Sequence, residues 1–262
     1  MTQSIDNYRL KHLLALPDLH HDSIYSLIGR MKSTLDFFHT NQNYRPLIPF
    51  LQVYYLVTKH VAEKFLHKGS FRYHTAMEQL DLYFGSLYFE PLTAYLLDKE
   101  HKSPWKTYFE YAERPDGLPF IHMLLGINAH INTDLVTTLV MTKYRHHKDY
   151  ALVNKILAQT IIEIVRFLFL HDPDLYSVGG IIFPSLYQQA FKHTVIGWRK
   201  QAWENAQGLT PKQFEHYYPV LCEQTEQIGH DLITIFSDMH MSNHVSDRIT
   251  KLYDLRVSLP HR

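Results

Sequence analysis

A single cysteine, Cys222, serves a chain of 262 residues. One thiol closes no disulfide within the chain and builds no cysteine-rich zinc site. No run of about 18 apolar residues occurs, so no membrane-spanning helix is expected. Lys and Arg number 26, as do Asp and Glu, for a formal net charge of zero. That balance argues against a protein holding nucleic acid through a broad basic surface. There is no glycine-rich phosphate loop and no dinucleotide fingerprint. The first residues do not read as a secretory signal, because the apolar run Leu13-Leu14-Ala15-Leu16 is short and meets Pro17. The expected location is the cytoplasm. No linker, internal repeat or low-complexity tract divides the sequence.

Histidine and aromatic residues are abundant by contrast. There are 19 His, 18 Tyr, 15 Phe and 3 Trp. So many histidines make chance His pairs frequent, and each pair must be discounted. The aromatics suit a thick helical core with Tyr hydroxyls at its edges.

Apolar residues recur at helical period along nearly the whole chain. The spacing predicts a helix over Ser23 to Phe38, with Asp22 as its N-cap. Pro46 opens a second helix to about His67, which Gly69 and Ser70 break. A third runs from Arg72 to Leu97. Ser103 and Pro104 start a fourth, and Arg114-Pro115-Asp116-Gly117 is a turn. A central helix is expected from Leu118 to Tyr144 and another from Asp149 to Leu170. An irregular connection follows through Asp172-Pro173-Asp174 and Gly179-Gly180. Helices over Ser185 to Gln207, Thr210 to Met239 and Ser242 to Leu255 complete the pattern. Ile161-Ile162 and Ile181-Ile182-Phe183 suit strands by composition but are too short and isolated for a sheet. The reading is one all-α domain over residues 1–262, a bundle of about eight to ten helices.

The central helix carries the chemistry. It is apolar nearly all round, so it belongs in an interior. Asn128, His130, Asn132 and Asp134 interrupt it, and buried polar groups must each find a partner. His130 and Asp134 fall about 40° apart, one turn along one side. Asn128 and Asn132 form a second stripe about 200° away. An imidazole and a carboxylate so placed can share a metal ion. They can equally form a dyad in which Asp134 orients His130 for proton transfer. The plainer reading is a hydrogen bond that locks two helices. Asn128 and Asn132 could bind a substrate or tie down neighbouring helices.

A metal needs more than two protein ligands. Asp81, in the apolar stretch Leu80-Asp81-Leu82, and His60 are the best further donors. Glu78 shares a helix side with Asp81, where it suits a solvated stripe. Arg199, near Trp198 and Trp203, could clamp an anionic substrate group or pair with Asp81 or Asp134. His240 and His244 have ligand spacing, but the Met-Ser-Asn between them reads as a helix break.

At these residues the chain resembles an uncharacterised bacterial family, a domain of unknown function. Its hallmark is a Leu-Leu-Gly-x-Asn-Ala-His-Ile-Asn-x-Asp-Leu helix, the form of Leu124 to Leu135 here. The resemblance takes in Gly69-Ser70-Phe71, Leu80 to Phe84, Tyr88-Phe89, Pro104-Trp105, Phe109, Val153-Asn154, Arg199 and Ala202-Trp203. It covers roughly residues 50 to 206. It departs at Gly85, where alanine is expected, and in a helical extension over residues 207–262. It implies a helical fold and no established activity. A second likeness, at fold level only, is to zinc-dependent phospholipase C and single-strand nuclease folds, which carry a His-x-x-x-Asp on a buried helix.

Two functional readings stay open. In the first, the protein is a metal-dependent hydrolase. His130, Asp134, Asp81 and His60 hold a divalent ion (Zn, Fe or Mn) that activates a water, His130 and Asp134 are catalytic, and Asn128, Asn132 and Arg199 meet a small-molecule substrate. In the second, the same residues form a closed structural network, and the function is to bind a ligand or a protein.

Overall fold

Helix α1 (Ile24–His39) begins where Ser23, and not the expected Asp22, caps it. The Ser23 hydroxyl accepts from the Ser26 N–H while the Ser26 hydroxyl accepts from the Ser23 N–H, a reciprocal capping box. Asp22 instead accepts from the Asp18 N–H and pairs with Arg30. The computed structural model describes residues 18, 21–65, 70–97, 104–171, 185–237 and 245–259. Gly69, Ser103, Asp172-Pro173-Asp174, Gly179 to Phe183, His240 and His244 lie outside those residues.

After α1 come a 3-10 turn (Gln42–Leu47), α2 (Ile48–Phe65), α3 (His74–Leu96) and α4 (Lys106–Ala112). The central run consists of α5 (Pro119–Ala129), a π-helical turn (His130–Asp134) and α6 (Leu135–Met141). Then follow α7 (His147–His171), α8 (Ser185–Ala206), α9 (Pro211–Ser237) and α10 (Val245–Asp254). The described residues contain no strand, and Ile161 is helical. Pro46 does not open α2. It sits inside the 3-10 turn that precedes it. Thr210 and Gln213 cap α9, each side chain meeting the other's backbone N–H.

The central run is the axis of the bundle. Every residue from 120 to 140 is buried. Helices α2, α3, α4, α8 and α9 all pack against it. One apolar core extends from Ile24 to Leu259. The run is continuous but not uniform. The Leu135 N–H donates to the His130 carbonyl five residues back, which marks the wider π turn. Thr137 and Thr138 hydroxyls donate to the carbonyls of Thr133 and Asp134, which helps satisfy the widened turn. Nothing in the residue pattern signals this widening.

Gly126 sets the approach of α2. A Cβ there would lie 2.4 Å from Phe50 Cγ. At Gly85 a Cβ would meet Leu27 Cδ1 at 2.7 Å, but that is the movable tip of a side chain. Gly126→Ala should therefore lower stability by about 1–3 kcal/mol, because the new methyl meets Phe50 at its Cβ and Cγ, close to the α2 backbone, and not at a movable tip. Gly85→Ala should change it by less than about 1 kcal/mol, as helix propensity offsets a shift of Leu27. Urea denaturation of the two variants checks the contrast.

Candidate functional site

The two polar stripes of the central run meet different neighbours. Asn128 donates from Nδ2 to the Thr225 carbonyl of α9 at 2.8 Å. Asn132 donates to Asn128 Oδ1 at 2.8 Å. The hydroxyls of Thr133 and Thr225 are 2.8 Å apart. This chain of bonds ties the axis to α9. The asparagines lie against that helix and do not border the cavity on the other side.

On that other side, His130 Nδ1 is 2.9 Å from Asp134 Oδ2. The Trp105 indole N–H donates to the same oxygen at 3.1 Å. The imidazole lies flat on Phe84, with centroids 3.6 Å apart and planes at 11°. Tyr54 meets it edge-on at 4.5 Å. Phe50, Tyr88 and Trp105 complete an aromatic box. Burial is the largest influence on both partners. It holds His130 well below the usual histidine range, and the Arg199 charge pushes the same way. It holds Asp134 well above the carboxylate range, against the pull of the Trp105 N–H. We read the pair as a carboxylic acid hydrogen-bonded to a neutral imidazole. The acid proton is then donated to Nδ1, so the ring's own proton sits on Nε2. Nε2 is buried and has no hydrogen-bond partner.

His130 borders an apolar cavity of about 70 Å³. Phe50, Val53, Tyr54 and Val57 of α2, Phe84, Ile127, Ile131, Leu157, Ile161 and Val195 form its walls, with Arg199. A second, smaller cavity of about 40 Å³ shares Tyr54, Val57, Phe84, Leu157 and Arg199 with it and is bordered by Asp81. Asp81 and His130 thus open on adjoining spaces.

Arg199 joins the two cavities without the ion pair expected for it. Its Nε donates to Asn154 Oδ1 at 2.6 Å. Its guanidinium lies over the Tyr150 ring at 5.2 Å, and the Tyr150 hydroxyl donates to the Arg199 carbonyl. Among the described residues no carboxylate oxygen comes within 4.0 Å of it. The Asp81 and Asp134 pairings considered above are therefore not formed. Trp198 and Trp203 turn elsewhere: Trp198 donates to the Leu255 carbonyl, and Trp203 packs on Tyr150.

The remaining candidates are placed as follows. Asp81 Oδ2 is buried without a partner, and burial pushes the carboxyl up to about 7 against the pull of Arg199. Glu78 is not merely a solvated residue, since its Oε1 accepts from the Ile24 N–H at the start of α1. His60 does not reach the site: its Nδ1 meets the Leu56 carbonyl of its own helix at 2.8 Å, and it borders neither cavity. Among the described residues no three His, Cys, Asp or Glu side chains are gathered as a metal-ligand set. His130, Asp134, Asp81 and His60 are thus not drawn together as one. No helix among the described residues is long and apolar enough to cross a membrane.

Trp105, Tyr54, Phe84, Tyr150 and Asn154 were not assigned site roles from sequence. Phe84, Trp105 and Asn154 lie among the positions of the family resemblance, and that was the available signal.

A family of unknown function has a profile that matches residues 24–235. The match begins earlier and ends later than residues 50–206, so it includes α1 and α9. Thr225, within the matched range, anchors the asparagine stripe of the axis to α9. No curated protein and no solved structure matches the chain.

The Asp81 shift has a consequence for stability. Its folded pKa, about 7, exceeds the model-peptide value of 3.8. The folded state then binds more protons than the unfolded one between those values, so stability falls as pH rises through that window. Asp81→Asn should be more stable than wild type at about pH 8, by roughly 1–2 kcal/mol because the residue is only partly buried. The advantage should shrink as pH falls toward about 4. Thermal melts across pH measure it.

Proposed function

Because the chain belongs to DUF5995, a family of unknown function, its role must be read from its site, and we propose that it binds a small molecule in the cavity beside His130. The observation that carries this is that two polar side chains, His130 and Arg199, line one apolar cavity. His130 Nε2 is buried and has no hydrogen-bond partner, and among the described residues the Arg199 guanidinium hydrogen-bonds only Asn154. An unmet buried donor costs about 1–3 kcal/mol, and a charged one more. The rest of the wall is apolar, which suits a ligand with a hydrocarbon body and a polar end. The cavity is smaller than the roughly 150 Å³ space that accepts benzene, so the ligand is short.

The metal-dependent hydrolase is the second reading. The contact of His130 with Asp134, and the nearness of Asp81 across a shared wall, favour it. Against it, Asp134 Oδ2 already meets two nitrogen groups and His60 faces its own helix. Stoichiometric zinc or manganese bound by untagged protein, and lost in a folded His130→Ala variant, would establish this reading in place of the first.

The binding proposal is tested with a panel of short aliphatic acids, amides and ketones at millimolar concentration. Ligand-observed NMR should show saturable binding of at least one class to wild type. Ile131→Phe, which puts a ring into the cavity, should reduce that binding by about tenfold or more while circular dichroism stays helical. A panel with no binders, or binding indifferent to the filled cavity, would overturn the proposal.

A further inference from the structure

Arg199 is buried, at 7% exposure, and carries a full positive charge. Buried charges in proteins are normally paired or bound to an ion. Here Nε is used by Asn154, and the two terminal nitrogens have no bond to any described residue. They form the end of the guanidinium fork. Two parallel N–H groups at that end match the two oxygens of one carboxylate.

We propose that the ligand is a small monocarboxylate with a short aliphatic body, gripped end-on by the terminal nitrogens of Arg199. The proposal rests on the binding reading above and adds the chemical class. Apolar side chains such as Val53, Ile127 and Ile131 surround the remainder of the space. They receive hydrocarbon and offer nothing to a second polar group. The neutral His130 supplies an N–H for the carboxylate and no second charge. Asp81 faces the neighbouring cavity. Its carboxyl, held near neutrality by burial, is partly protonated and opposes an anion less than an ordinary aspartate would. Arg199 is the one Lys or Arg among the described residues lining either cavity, and it balances one negative charge. A phosphate would bring more charge and more oxygens than the apolar walls can satisfy.

The test uses the full chain at one fixed pH. Acetate and propionate are titrated against the amides of the same skeletons, with inorganic phosphate as competitor, and followed by ligand-observed NMR. The acids should bind about tenfold or more tightly than the amides, the difference expected of charge-assisted hydrogen bonds. Phosphate should not displace them. In Arg199→Gln the acids should lose this advantage while amide binding persists. Should that variant not fold, the wild-type ratio of acid to amide decides alone. Equal affinity for acid and amide, or displacement by phosphate, overturns the carboxylate assignment and leaves the binding reading standing. Failure of both acids and amides to bind removes both.

Discussion

A helix enclosed on every side can hold polar residues only where neighbouring helices meet them. That constraint governs the centre of this protein. The axis formed by α5, the π turn and α6 has no solvent-facing side, so each polar group on it is either paired or left in a low-dielectric surrounding. Asn128, Asn132 and Thr133 are paired, toward α9. Asp134 is paired, with His130 and Trp105. His130 Nε2 and both ring nitrogens of His122 lack a partner on the axis, and of the two rings His130 borders the apolar cavity.

Desolvation also decides the charge state of the site. An ion pair between His130 and Asp134 would need compensation beyond the single indole N–H that Trp105 brings. Transfer of the proton to Asp134 removes both charges and retains the hydrogen bond. The positive charge that remains is Arg199, on α8, which packs against the axis and lines the cavity together with His130. The bundle thus surrounds an apolar space with one neutral donor, one charged donor and the Asp81 carboxyl nearby. The asymmetry between the two flanks of the axis follows: one flank is closed by bonds and maintains the fold, and the other is left with unmet groups.

Much of the fold is legible in the sequence because helix periodicity and capping are local. The Thr210-Pro211 start of α9 and the enclosed central helix can be read from a few residues each. The i, i+4 spacing likewise places His130 and Asp134 together, since contact within one turn needs no knowledge of tertiary structure. What is hidden depends on three-dimensional packing. Trp105 reaches Asp134 from 29 residues away in sequence. Asn154 takes the Arg199 Nε that a carboxylate was expected to take, and no local pattern specifies that choice. His60 has a suitable residue type and an apolar flank, yet its ring faces its own helix backbone. The π turn is hidden for the same reason, because the widening of the axis is a backbone response to its neighbours.

The neutrality of the His130–Asp134 pair is the claim from which the site follows, and imidazole nitrogen NMR addresses it directly. On protein labelled with 15N-histidine, with the His130 resonances assigned by a His130→Gln variant, the ring nitrogens are followed from about pH 5 to about pH 8, the range in which an ordinary histidine titrates. The expected result is a ring that stays neutral throughout, with its proton on Nε2. An imidazolium at neutral pH, or a proton on Nδ1 facing an ionised Asp134, would contradict the account.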